Sequence, residues 1–382
     1  MSIFEEWERF SFDAMESCLS NEEKEFASAL KLITEGNDLL AIERLMPLYK
    51  ESENPQIRSY SAELLFNLYF NRSDWNGLEQ LGLLDDPAID ENNRLIAKAC
   101  CQVDPVALSF PQAPVDIPME LSLSGSPTID VRINGKKKRV WLDTGAGMTV
   151  ISHSLAVDCG IKVGKGSGIE VGSSTEKTIE TDLAFIESIE IDRLSILRQP
   201  TLVLADEMLT IANPKTGEQI VIDGILGWDL MQHLYIEIDY LEKRVRIDEP
   251  VQDADGENNL FFCGYPIVKV IAEDQSPLYF GLDTGANKTY FGQTLLSKVP
   301  GLELEKRTIH VGGIGEVKEV EIDSIKELNL FLKDGQPITF YDVRKVLPDY
   351  ATFFKLDGVI GSDIAKDGRI LIDYYNRRIE FN

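Results

Sequence analysis

Two textures follow one another along the chain. Over roughly the first hundred residues, apolar positions recur at helical spacing. Phe26, Leu30 and Ile33 form one set, and Leu39, Ile42, Leu45 and Leu48 the next. Ile57, Tyr60, Ala62, Leu65, Leu68 and Tyr69 follow, then Leu78, Leu81 and Leu84. Turn-forming residues separate these sets at Glu35-Gly36-Asn37-Asp38 and Asn71-Arg72-Ser73-Asp74. Pro55 and Pro87 each stand where a new helix can start. The pattern predicts helical hairpins over residues 1–104. Pro105, Pro111, Pro114 and Pro118 then interrupt any helix, which places a linker at 105–117. Beyond it, short Val/Ile-rich stretches alternate with Gly, Asn and Ser turns, a β pattern. The polar segment Gln252–Asn259 reads as a joint, dividing the β region into units at 118–250 and 251–382.

The two β units repeat one another. Asp-Thr-Gly-Ala occurs at Asp143–Ala146 and at Asp283–Ala286, preceded by Val140-Trp141-Leu142 and by Phe280-Gly281-Leu282. A Thr follows six positions after each Asp, at Thr149 and Thr289. Upstream, Thr128–Val131 faces Pro266–Lys269 at nearly the same offset. Downstream, Val171-Gly172-Ser173 faces Val311-Gly312-Gly313. Asp223–Gly227 then pairs with Asp357–Gly361, Asp229-Leu230 with Asp363-Ile364, and Leu234–Tyr240 with Arg369–Tyr374. Landmarks repeated in one order mark a duplicated unit.

These motifs resemble the lobes of pepsin-like and retroviral-type aspartic proteases. The family pattern is an apolar pair before Asp-Thr-Gly, a glycine-rich flap hairpin, and an apolar-apolar-Gly motif. It maps onto Asp143-Thr144-Gly145, Gly172 and Ile225-Leu226-Gly227, and again onto Asp283-Thr284-Gly285, Gly312–Gly315 and Val359-Ile360-Gly361. The resemblance covers roughly residues 117–382. Its two lobes in one chain are pepsin-like, whereas Ala146 and Ala286 are the retroviral-type choice. The implied fold is multidomain: an all-α helical-hairpin domain, then two all-β acid-protease lobes, closed-barrel-like and related by a pseudo-twofold. The helical part resembles degenerate tetratricopeptide-like hairpins, with a generic bundle as the alternative.

Composition narrows the field of functions. A hydrophobic content of 43% supplies real cores and excludes a disordered chain. The net charge of −26 argues against nucleic-acid or membrane-surface partners, which need clustered Lys and Arg. The basic run Lys136-Lys137-Lys138-Arg139 follows Asn134-Gly135, a hairpin-turn signal, and reads as a solvated hairpin arm. Five scattered cysteines make neither a disulfide framework nor a zinc spacing, and three dispersed histidines support no metal site or triad. Met1–Phe10 lacks a signal-peptide core, and no run has membrane-spanning length. A cytoplasmic location is expected, or the cell envelope or exterior if a signal has been removed.

Two adjacent carboxylates cannot both ionise cheaply, so they share a proton and titrate as a pair. Asp143 and Asp283 are the expected catalytic pair, with Gly145 and Gly285 allowing close backbone approach, and the resemblance implies that Thr144 and Thr284 cross-link their loops. Gly172, Gly312, Gly313 and Gly315 are the expected flap tips over a peptide or protein substrate. No cofactor or metal is implied. Asp223 and Asp357 read as turn residues, Trp141 and Trp228 as core, and Asp239 and Asp373 as turn or surface groups. The function expected is an aspartic endopeptidase. The alternative is a silent peptide-binding or scaffold protein that keeps the fold, and the helical domain is a candidate gate or adaptor for a protein partner.

Overall fold

The structure is a computed structural model that describes residues 2–12, 19–172, 178–212, 218–253, 258–313, 316–333, 335–345 and 353–382. Its helical part is built by local signals. Ser20 and Glu23 form a capping box at the start of helix Asn21–Thr34. Pro55 opens helix Pro55–Asn71, with the Asn54 side chain accepting from the amides of Gln56 and Ile57. Between them lies helix Asp38–Glu51. The three pack around Phe26, Leu30, Ile33, Leu45, Ile57 and Leu65, all buried.

Two details of the helical reading need correction. Leu39 is 61% exposed; the buried stripe of its helix is Ala41, Ile42, Leu45 and Leu48. Pro87 does not start a helix. The next long one is Glu91–Cys100, because the Asp90 side chain accepts the Asn93 amide and supplies the cap there.

Each β lobe is a closed six-stranded barrel. In the first, strands Pro127–Ile133, Lys136–Leu142, Gly224–Leu226, Val150–Ser152, Leu194–Leu204 and Thr178–Ile191 follow in order. Ile133 opposite Ile189 closes the ring. In the second, the same circuit runs through Pro266–Ile271, Pro277–Asp283, Gly358–Gly361, Tyr290–Phe291, Pro337–Lys345 and Glu316–Phe331, closed by Ile271 opposite Phe331. Closure leaves few open edges, and alternation sends every second side chain inward to a continuous apolar core. Asn134 and Gly135 both adopt positive φ in the turn before the basic strand, as an Asn-Gly hairpin requires. The basic run itself is neutralised by Asp130, Asp158 and Glu120.

One antiparallel sheet joins the lobes. Tyr235–Asp239 of the first pairs residue for residue with Arg369–Asp373 of the second. Arg244–Asp248 and Val115–Leu121 extend the sheet on one side, Arg378–Phe381 on the other. The proline-bearing stretch is therefore not free chain throughout. Ala107–Ser109 pairs with Ser195–Leu197, and the linking sheet already begins at Val115. Part of the Gln252–Asn259 joint, residues 254–257, lies outside the described residues.

Asp357 is the clearest departure from the sequence reading. It is more than a turn residue, for it is fully buried. One carboxylate oxygen accepts both the Tyr279 amide and Lys298 Nζ, at 2.9 and 2.8 Å. Lys298 also lies 5.5 Å above the Phe10 ring, which stacks on Tyr279 at 3.7 Å. The N-terminal segment thus covers a buried ion pair beside the strand that carries Asp283. Burial pushes the Asp357 carboxyl up, and Lys298 pulls it back. Lys298→Met would strand an uncompensated carboxylate, which costs about 3 kcal/mol. Urea unfolding at pH 8 is expected to show that loss. At pH 5, where Asp357 can take up a proton, the loss is expected to shrink.

Candidate active site

Each Asp-Thr-Gly loop begins where its barrel strand ends. The first acidic strand lies parallel to the backing strand, with Trp141 opposite Ile225 and Leu142 opposite Leu226, and the Asp143 amide donates to Leu226 O at 3.1 Å. The second repeats this, with Leu282 opposite Ile360 and Asp283 opposite Gly361. The strand's period of two buries Leu142 and Leu282 and presents the next residue, Asp, to the cleft between the lobes.

The threonines then bind loop to loop. The Thr144 amide donates to Thr284 Oγ1 at 3.1 Å, and the Thr284 amide to Thr144 Oγ1 at 3.0 Å. Thr144 Oγ1 donates to Leu282 O at 2.8 Å, and Thr284 Oγ1 to Leu142 O at 2.9 Å. All four bonds are buried, and they cross the boundary reciprocally. They bring Asp143 and Asp283 together at the boundary between the lobes, each carboxylate against the glycine of the opposite loop. Both Asp residues are half-buried.

Gly145 and Gly285 are required by this closeness and not by a positive φ. A Cβ on Gly145 would stand 2.6 Å from Asp283 Cγ and 2.8 Å from Tyr265 Oη. One on Gly285 would meet the Asp143 carboxylate. Each glycine therefore makes room for the opposite lobe's acid.

The electrostatics follow from the enclosure. Burial pushes both carboxyls up, and the charge of either one beside the other adds to the rise. Backbone amides oppose the rise, among them Gly145 N to Asp143 Oδ1 at 2.8 Å and Ala286 N to Asp283 Oδ1 at 2.9 Å. Ionising both groups at once is therefore disfavoured.

A second pair of acids supports the first. Thr149 Oγ1 donates to Asp229 Oδ1 at 2.9 Å, and Thr289 Oγ1 to Asp363 Oδ1 at 2.7 Å. In the same places Thr149 Oγ1 accepts the Gly227 amide and Thr289 Oγ1 that of Gly361. Each threonine thus ties the turn after its Asp loop to the backing strand. The sequence shows both threonines and both acids, but nothing in their spacing says that they meet. Trp228 is core, as expected, while Trp141 is half-buried on the same strand face as Asp143. Asp373 holds a turn, accepting from Asn376, but is itself buried.

The glycine-rich segments lie at the far ends of two hairpins. Val163–Gly172 pairs with Thr178–Ile191, and Gly172 opposite Thr178 is the last pair described. Leu304–Gly313 pairs with Glu316–Phe331, with Gly312 and Gly313 in the final two pairs. Gly315 and Ser173 lie outside the described residues. The first hairpin is tied to the helical domain, since the Glu170 amide donates to Asn92 Oδ1 at 2.8 Å. Among the described residues, no three His, Cys, Asp or Glu side chains gather as metal ligands would, and no helix is long and apolar enough to cross a membrane.

Residues 129–230 match the family model described as aspartyl protease. That stretch runs from the first barrel strand through Asp143 and the backing strand to Leu230. The matched stretch lies in the first lobe, and the second lobe repeats its strand circuit, acidic loop and threonine bonds. Among solved structures, a retropepsin-like aspartic protease from Rickettsia conorii is similar at 14% identity and a TM-score of 0.25, over 38% of this chain and 96% of that one. An aspartic proteinase from Irpex lacteus is similar at 12% identity and a TM-score of 0.41, over 70% of this chain and 96% of that one. No curated protein matches the sequence.

Two outcomes are expected of the supporting groups. Thr144→Ala removes two of the four cross-lobe bonds and leaves a buried amide unpaired, which costs on the order of 2–3 kcal/mol. Thermal unfolding is expected to register that loss, and Thr144→Ser, which keeps the hydroxyl, to recover most of it. The second outcome concerns Asp229, which burial pushes up to about 7. Its proton is held more tightly folded than unfolded. That contribution to stability is full below about pH 4, the ordinary carboxylate value, and is lost as pH rises through about 7. Urea midpoints are expected to fall between pH 4 and pH 8, and Asp229→Asn to flatten the fall.

Proposed function

We propose that the chain is an aspartic endopeptidase in which Asp143 and Asp283 activate one water molecule between them. The reciprocal threonine bonds that bring the two acids together carry this reading. In it, the ionised member takes a proton from the water as the water attacks the scissile carbonyl. The protonated member hydrogen-bonds the carbonyl oxygen and stabilises the charge that develops there. Proton transfer to the leaving nitrogen then returns the pair to its singly protonated state. The substrate is an extended peptide lying in the cleft between the lobes, its backbone paired with flap strands. The two hairpins ending near Gly172 and at Gly312–Gly313 are the flaps that close over it and exclude water.

Ala146 and Ala286 set the working pH in this reading. Neither offers a hydroxyl to the carboxylate that would stabilise its charge. Desolvation is then less opposed, and activity is expected nearer neutral pH than with a hydroxyl there.

Cleavage of a diverse peptide library across pH 3 to 8 tests the proposal. Turnover is expected to peak above pH 4, to be inhibited by a statine-type compound, and to fall by about a thousandfold or more in Asp143→Asn and in Asp283→Asn. Turnover that survives either substitution would overturn the two-acid mechanism. A wild-type chain that binds peptides without cleaving them would instead favour the silent binding protein.

A further inference from the structure

The two backing loops are built differently, and the difference leads to the helical domain. In the second lobe, Ser362 follows Gly361. Its amide and its hydroxyl both donate to Ala286 O, at 2.8 and 2.9 Å. Both of these bonds lie within the second lobe. In the first lobe the same place holds Trp228. Its amide donates to Ala146 O at 2.7 Å, as the symmetry requires. Its side chain cannot supply the second bond. The indole is instead buried, only 1% exposed.

The ring contacts and the hydrogen bond of this indole come from outside the first lobe. Phe262 stacks parallel to it and Tyr374 meets it edge-on, with centroids at 6.2 and 5.1 Å. Nε1–H donates to Asn71 Oδ1 at 3.1 Å. Asn71 is the last residue of helix Pro55–Asn71 and is buried. Its Nδ2 donates onward to Tyr374 Oη at 3.0 Å. One helical-domain side chain therefore joins the first lobe's backing loop to the second lobe. A further link braces the same corner. The Arg377 guanidinium lies 3.8 Å from the Tyr374 ring centroid and donates to Asp38 Oδ2 at 2.7 Å, and Asp38 is also buried in the helical domain.

We propose that Asn71 is a positioning residue for the Asp143 loop, acting through Trp228, so that the helical domain forms part of the active-site framework. The inference rests on the two-acid reading for its kinetic consequence, but its structural consequence stands apart from turnover. Without Asn71, the Trp228 indole N–H is left buried and unpaired, and the loop under Asp143 loses its outer anchor. The loop under Asp283 keeps both Ser362 bonds. The effect is therefore one-sided, which a general loss of stability would not be.

The test uses the full chain as wild type, Asn71→Leu, Asn71→Asp and Trp228→Phe. Hydrogen exchange is compared at the Trp228 amide and at its symmetry mate, the Ser362 amide. In Asn71→Leu the Trp228 amide is expected to exchange about tenfold faster and the Ser362 amide to stay within twofold of wild type. With peptide substrate, kcat is expected to fall about tenfold with KM within twofold, and the pH optimum to move, because the carboxylate pair is no longer held in register. Asn71→Asp keeps an acceptor for the indole and can accept from the Tyr374 hydroxyl, so it is expected to restore kcat to within about threefold. Trp228→Phe keeps the ring packing without the donor and is expected to match Asn71→Leu; it also serves if that variant does not fold. Equal acceleration at both amides, or at neither, would overturn the proposal whatever the turnover. A wild type that cleaves nothing would remove only the kinetic arm and the protease reading with it, since the exchange comparison still decides the role of Asn71.

Discussion

Two carboxylic acids facing each other in a poorly solvated cleft do not stay together unaided. Their charges repel, and burial penalises whichever one ionises. The reciprocal bonds of Thr144 and Thr284 hold them there, because each threonine is fastened at both its amide and its hydroxyl to the opposite loop. Four bonds across one boundary leave the loops almost no freedom to part. The rest of the fold serves that junction. The barrels deliver each loop from the end of a parallel strand pair, the glycines make room for the opposing acid, and the shared sheet stops the lobes from sliding.

The symmetry is close at the centre and weakens outward. Thr149 with Asp229 repeats as Thr289 with Asp363, almost bond for bond. One position further, Ser362 faces Trp228, and the two lobes part ways. The second loop carries an extra bond from the Ser362 hydroxyl; the first leans on Asn71. The lower strands of the second lobe in turn lean on the N-terminal segment, where Phe10 covers the Lys298–Asp357 pair. The helical domain thus touches both halves at different depths. A unit that in sequence looks separable is packed into the framework of the site.

Much of this was legible in advance, and for a clear reason. A duplicated sequence writes each landmark twice, so Asp143 with Asp283, Thr144 with Thr284 and the two glycines could be picked out by their agreement. Chemistry then assigned them roles, since paired acids, hydroxyls and a missing Cβ each have few uses in such a loop. The helix start at Pro55 was legible because such signals act within one turn. Leu39 and Pro87 misled because a local rule says where an element can lie, not which neighbour will cover it.

The sequence by itself determined the repeated acid loops, the order of the barrel landmarks and the change from helical to strand periodicity. These are written in short-range patterns whose meaning does not depend on distant partners. Only the tertiary structure decided that Asp357 is a buried ion-pair partner, that Asp229 and Asp363 answer to Thr149 and Thr289, and that Asn71 reaches Trp228. Their partners lie from 59 to 157 positions away. Before folding, an Asp before Gly is indistinguishable from any turn residue, and an Asn at a helix end from any cap. Desolvation gives such groups their consequence, and it exists only once the lobes and the helices have closed around them.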